Sequence, residues 1–184
     1  MVRLSIYYFP KEVKGLFRMN TRTKKIVMAA LLAALACIAT MVIKVPSPLG
    51  GYLNLGDCIV LMAGWMLPPA YGFVAAGLGS ALADVFSGYV AYAPATFIIK
   101  GLMALIVCFG FKLLRKKLGT VATGIISGLV AEIVMVAGYL VFEGAFLYGF
   151  GPSLANVLPN GIQGAAGLVI GVILIKLFEK SKIA

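Results

Sequence analysis

The sequence predicts an all-α polytopic membrane protein, a six-transmembrane-helix bundle, and three observations predict it. The chain is 184 residues long and 62% hydrophobic, with a mean hydropathy of +1.05, which does not fit a soluble domain. Its apolar residues gather in successive runs of about 20, the length a helix needs to cross a bilayer core. Its charges are few and sorted: 16 Lys+Arg stand against 6 Asp+Glu and no His. Nearly every base lies before the first apolar run, in residues 112–117, or from Lys176 onward. Bases that flank apolar spans orient a membrane protein, with those flanks in the cytoplasm. A net charge of +10 arranged in this way, and not interleaved with aromatics over one face, argues against a nucleic-acid partner.

The spans follow in order. Residues 1–25 are expected to form a basic cytoplasmic segment, interrupted by Pro10 and Gly15, in which Met19 has the look of a natural start. They lack the apolar core and small-residue cleavage site of a signal peptide. Residues 26–178 are expected to hold the six-helix membrane domain, and residues 179–184 a cytoplasmic tail. The first span, 26–45, ends at Pro46 and Pro48; a loop at 47–53 contains Gly50 and Gly51. The second, 54–67, is short and stopped by Pro68 and Pro69. The third and fourth cover 71–88 and 94–114, and the fifth covers 120–142 after the basic break. A loop rich in Gly and aromatics, 143–153, leads to the sixth, 154–178. An even number of crossings puts the N-terminal segment, residues 115–117 and the tail on one side. The connections left outside, at 46–53, 89–93 and 143–153, contain no Lys or Arg, although Lys44 lies just before the first.

Small residues are patterned too. Ala29, Ala30, Ala33, Ala34 and Ala36 smooth the first span, and Gly72, Ala75, Ala76, Gly79 and Ala83 smooth the third. Such spacing lets helices approach closely in lipid, where packing drives association. It serves packing inside the bundle or docking of another membrane subunit, and both readings stand. The widely separated Cys37, Cys58 and Cys108 read as small buried hydrophobes rather than a disulfide or metal site.

Ionisable groups at membrane depth are functional candidates by default, because burying them costs roughly 2.5–3.5 kcal/mol on insertion scales. Asp84, Lys100 and Glu132 are such groups. Asp84 and Lys100 are candidates for a structural ion pair, for contact with a ligand, or for both. Asn54 and Asp57 open the second span, where either suits an N-cap. Asn156, Asn160 and Gln163 share one face of the sixth span and are the leading candidates for hydrogen bonds to a ligand. Pro159 among them is expected to free a carbonyl and kink the helix toward a cavity. Apart from Glu132, the polar residues gather at the outer end, together with Tyr52, Tyr89, Tyr92, Phe146, Tyr148 and Phe150. The aromatics suit either an interfacial belt or the walls of a small-molecule pocket. No GxSxG, HExxH, Walker lysine loop or CxxC is present, so no enzymatic activity is expected and any energy comes from another chain.

Three stretches carry a family resemblance: Tyr52, Leu53, Asn54, Leu55, Gly56 and Asp57; Ala83 and Asp84 followed by Gly88 and Tyr89; and Pro94 through Lys100 and Gly101. Together they resemble the substrate-binding S component of energy-coupling factor (ECF) vitamin transporters, in the riboflavin-transporter-like group. The resemblance covers the chain from Met19 onward. It implies a multi-pass protein of the bacterial cell membrane, with both termini cytoplasmic, that captures a vitamin or precursor from outside. It implies a membrane coupling (T) subunit and two cytoplasmic ATPase subunits as partners. ATP is then used by those partners, and no cofactor is expected in this chain. The resemblance maps the docking face for the coupling subunit onto Ala29, Ala30, Ala33 and Ala34. It places residues 50–54, Lys100, Tyr139, Asn156, Asn160 and Gln163 near the ligand. Riboflavin is the expected substrate, with pyridoxine and hydroxymethylpyrimidine close behind. The alternative is a stand-alone proton-coupled secondary carrier for a small heterocycle, titrating Glu132 and Asp84. Such carriers commonly show internal inverted repeats, and none is visible here. A lipid-modifying enzyme and a purely structural subunit are further readings without a supporting motif.

Overall fold

The computed structural model describes residues 21–49 and 51–180, and these are almost entirely helical. The helices are α1 (Thr21–Val42), α2 (Gly56–Met66), α3 (Pro69–Phe86), α4 (Ala93–Phe142), α5 (Phe150–Ser153) and α6 (Val157–Lys180). A π-helical turn, Glu143–Leu147, and a 3-10 turn, Leu154–Asn156, join the last three. Four segments are long and apolar enough to cross a membrane: Arg22–Val42, Pro69–Phe86, Ala93–Leu147 and Phe150–Lys180. The third of these is 55 residues long. It is broken where Gly119 takes φ 73° and ψ 176°, a conformation closed to residues with a Cβ. The chain therefore turns at one residue between two arms, 93–118 and 120–142.

Residues 115–117, expected to lie in a basic break after a span ending at Leu114, instead extend the first arm of α4. Lys, Leu and Arg are strong helix formers, and nothing before Gly119 opposes the helix. Arg115 bonds Glu179 at 2.8 Å, and the Thr120 hydroxyl donates to the same carboxylate, so the turn is tied to the end of α6. The expected loop at 47–53 is a small antiparallel hairpin, pairing Val45 with Leu53 and Pro46 with Tyr52. The Ser47 N–H closes it on the Gly51 carbonyl at 2.9 Å. Gly50 lies outside the described residues, as do 1–20 and 181–184.

Helix α2 is the centre of the molecule, packed against α1, α3, α4 and α6. Eleven residues long, it is buried from Gly56 to Gly64 except at half-buried Ile59. Glycines let its neighbours close in. A Cβ at Gly64 would stand 2.5 Å from the Ala104 carbonyl oxygen, and one at Gly79 of α3 would stand 2.3 Å from that of Ala33. Half of the small-residue face of α1 is thereby used inside the bundle. Ala29 and Ala33 are half-buried against the core, while Ala30 and Ala34 are exposed. Large apolar side chains such as Leu113, Ile133 and Leu158 point outward, as helices facing lipid require.

Candidate functional site

Two polar layers occupy the end of the bundle where the hairpin lies. The deeper one is built on α2. The Asn54 side chain accepts the Gly56 N–H at 2.9 Å, starting the helix, although the N-cap residue itself is Leu55. Asp57 follows in the first turn, fully buried, and forms an ion pair with Lys100 of α4. Its other oxygen accepts the Gln163 amide at 2.7 Å, and Gln163 in turn accepts the Asn54 N–H at 3.0 Å. Lys100 also lies 5.6 Å from the centroid of the Tyr139 ring. Every strong hydrogen-bonding atom of Asp57 is thus engaged, which is what a buried ion pair needs to repay desolvation.

This corrects one expectation: the partner of Lys100 is Asp57, not Asp84. Both acids lie at similar depth, and depth is all that the sequence conveys. Lateral position decides the pairing, because central α2 presents Asp57 to α4 while Asp84 faces the hairpin. There the Tyr52 hydroxyl donates to Asp84 Oδ1 at 2.7 Å.

The outer layer is aromatic and acidic. Tyr52 stacks at 4.8 Å on Tyr89, which meets Tyr92 edge-on at 6.3 Å, and Tyr92 lies 6.5 Å from Tyr139. The Tyr92 hydroxyl donates to Glu143 Oε1 at 3.2 Å, and the Asn156 amide donates to the same oxygen at 3.0 Å. Ser47 of the hairpin donates to Asn156 Oδ1. Outside the spans, burial pushes the Tyr52 and Tyr92 phenols up, with Asp84 and Tyr148 respectively adding to it, so both keep their protons as donors. Lys44, exposed above Tyr52, bonds Ser87 and lies 5.5 Å from the Tyr52 ring centroid.

Between the layers lies a cavity of about 30 Å³. Asn54, Asp84, Tyr139, Asn160 and Gln163 line it, together with Ser47, Gly51, Tyr52, Tyr89, Tyr92, Thr96 and Glu143. Of the residues singled out in the sequence, Lys100 and Asn156 do not reach it. Lys100 lies one layer deeper, and the Asn156 amide is spent on Glu143 and Ser47. Pro159 does not kink the helix in the way expected. It falls in the first turn of α6, where an N–H would have no intrahelical partner.

Two lining residues have unspent chemistry. Among the described residues, Asp84 Oδ2 and Glu143 Oε2 are buried without a hydrogen-bond partner. Sequence reasoning missed Glu143 because it sits in a segment taken for an outer loop. The π-helical turn instead folds it inward, to 2% exposure. The signal that could have found it was its rarity, as one of only 6 acids in the chain.

Fold and site together define an all-helical, multi-pass membrane protein with a tyrosine-walled polar cavity at one end of its bundle. The chain belongs to the family described as the ECF-type riboflavin transporter S component, whose sequence pattern matches residues 20–180. It is similar to an uncharacterised protein of Pyrococcus woesei, 37% identical over 135 residues that cover 73% of this chain and 87% of the relative. It is also similar to the thiamine precursor transporter HmpT of Lactococcus lactis subsp. cremoris (strain MG1363), 25% identical over 166 residues, 89% of this chain and 93% of that one. Membership places the chain among vitamin-type transporters rather than enzymes.

Proposed function

We propose that this chain is the membrane-embedded substrate-binding subunit of an ECF-type importer, and that it captures a vitamin or vitamin precursor from outside the cell. The observation that carries the reading is the pair of unpartnered carboxylate oxygens, Asp84 Oδ2 and Glu143 Oε2, at a cavity walled by tyrosines. Buried acceptors of this kind call for donors, and a hydroxylated or amino-substituted heterocycle brings donors on a flat aromatic ring. Asn54, Asp84, Tyr139, Glu143, Asn160 and Gln163 contact the ligand in this reading, while Asn156 holds Glu143 and Lys100 holds Asp57, which in turn positions Gln163. The cavity has room for about one water molecule. A heterocycle therefore needs the walls to part, and the Tyr52–Asp84 and Ser47–Asn156 bonds are the contacts that must break to admit it. Riboflavin is the favoured ligand on the family pattern. The compact cavity and the likeness to a thiamine precursor transporter favour a single-ring hydroxymethylpyrimidine or pyridoxine as the second reading.

The crossings number six in this reading. The arms of α4 on either side of Gly119 count as two, and the short α2 completes the set. The bases near both ends of the chain and at 112–117 then share the cytoplasmic face, with the cavity outside. A membrane coupling subunit docks on the α1 face and two ATPase subunits supply energy.

Thermal unfolding of the purified chain against riboflavin, pyridoxine and hydroxymethylpyrimidine tests the reading. A ligand at 100 times its Kd adds about 2.7 kcal/mol of stability. Stabilisation by one compound is expected. No stabilisation by any of them, with uptake by the chain alone in vesicles free of ATPase, would turn the assignment toward a secondary carrier.

A further inference from the structure

The end of the bundle opposite the tyrosine-walled cavity carries a groove of different chemistry. It spans about 690 Å³ between the start of α1, the turn from α2 to α3, and the end of the first arm of α4. Its floor is apolar, with the Trp65 and Phe111 rings 6.4 Å apart. Its rim is cationic: Lys24 and Lys25 approach from α1, and Lys112 and Lys116 from α4. Arg115 on the same rim is held by Glu179 at 2.8 Å. The four lysines form no salt bridge among the described residues, and no acid lines the groove.

Bases at one end of a membrane protein ordinarily report orientation alone. Here two further features stand beside that bias. The charges converge on one groove from two helices distant in sequence, and the floor between them is aromatic. Like charges gathered without a counter-ion repel, and an anion between them relieves the repulsion. A soluble anion would satisfy the rim but leave the partly exposed Trp65, which packs on buried Phe111, uncovered. A bare hydrocarbon chain would cover the floor and leave the rim unmatched. A phosphodiester joined to an acyl chain satisfies both at once, and basic pockets between membrane helices suit such headgroups.

We propose that this groove binds an anionic phospholipid, with its phosphate among Lys24, Lys25, Lys112 and Lys116 and its acyl chain on the partly exposed Trp65 and Met66. The site is independent of the vitamin cavity and of which vitamin that cavity takes.

Trp65 is the chain's only tryptophan, so its fluorescence reports the groove directly. The full chain is reconstituted in phosphatidylcholine vesicles doped with brominated lipid, which quenches an indole on contact. Brominated phosphatidylglycerol is expected to quench Trp65 at about a tenfold lower mole fraction than brominated phosphatidylcholine. The preference should shrink as salt is raised, because the headgroup attraction is screened. Combined Lys24→Gln, Lys25→Gln, Lys112→Gln and Lys116→Gln should equalise the two lipids. Combined Lys117→Gln, Lys176→Gln and Lys180→Gln, at the same end but outside the groove, should leave the preference in place. Equal quenching by both lipids in the unsubstituted chain overturns the proposal, whatever the variants do. So does equal loss in both sets of variants, which would mean a diffuse surface field. Reversal of the quenching by millimolar inorganic phosphate would also overturn it, since the groove would then take the free anion rather than the lipid.

Discussion

The buried acids differ in how far their oxygens are satisfied, and this sorts their roles. Asp57 has both oxygens engaged, by Lys100 and Gln163. Asp84 and Glu143 each have one oxygen on a tyrosine and one without a partner, and Glu132 has neither engaged. A satisfied pair is structural: removing one member leaves a buried charge alone at a cost of about 3–5 kcal/mol. Lys100→Met is therefore expected to lower the melting temperature sharply, and adding Asp57→Leu should recover most of the loss. Thermal melts of the single and double variants check this, and additive losses would contradict it. In the proposed function the half-satisfied acids are the ligand's. Glu143→Gln should weaken vitamin binding by about 1–3 kcal/mol, roughly tenfold or more in Kd, because an amide keeps the shape but loses one acceptor. Titration calorimetry measures that, and an unchanged Kd would remove Glu143 from the contact set. Glu132 packs against α6, where a Cβ at Gly164 would stand 3.1 Å from its Oε2. With no bond to lose, Glu132→Gln is expected to hold or raise the melting temperature. A large drop would mean that the carboxylate carries an interaction a neutral amide cannot replace.

At the scale of elements, the apolar runs made the long helices legible, and their ends much less so. Proline stops placed the ends of the first and second spans well: α1 ends at Val42 and α2 at Met66, close before Pro46 and Pro68. Charge was a poorer guide. Residues 115–117 looked like a loop because they are basic, but a helix leaving the apolar region has no reason to stop until its backbone requires it. That residue is Gly119, with φ 73° and open space around its Cα. Gly119→Ala should cost about 1–3 kcal/mol through backbone strain alone, with vitamin affinity unchanged. An unaltered melting temperature would mean that the turn relaxes to another conformation. The inward fold of 143–153 was illegible for a different reason. It depends on a π-helical turn and on Gly149 at φ 80°, and neither is announced by hydropathy. Gly167 shows how tightly the elements then meet, since a Cβ there would stand 2.6 Å from that of Asp57. Gly167→Ala should force α6 from α2 and degrade stability and binding together, where Gly119→Ala separates them.

For the whole molecule, sequence reasoning gathered the polar residues at one end correctly, because depth along each span can be counted from its ends. It could not rank them laterally, which is why Asp84 was matched with Lys100 and why Lys100 and Asn156 were drawn to the cavity rather than behind it. The same limit applied to the alanines of α1. As one stripe they offered bundle packing or a docking face, and the structure divides them: Ala33 meets the backbone of Gly79, whereas Ala30 and Ala34 are exposed. Beside them an almost wholly apolar groove of about 420 Å³ runs between α1 and α3, reaching Ala30, Tyr71 and Leu78. If the coupling subunit docks here, the test belongs at Ala30, which is exposed and lines the groove, since a bulky residue at Ala33 would damage the bundle itself. Ala30→Trp adds an indole to a surface that a partner helix must approach closely, and overpacking of that kind costs about 1–3 kcal/mol. The expected result is a vitamin-induced thermal shift equal to that of the unsubstituted chain, with uptake in the presence of the coupling and ATPase subunits reduced about tenfold. Loss of the thermal shift would mean that the face supports the fold. Full uptake would mean that the coupling subunit meets some other surface of the bundle.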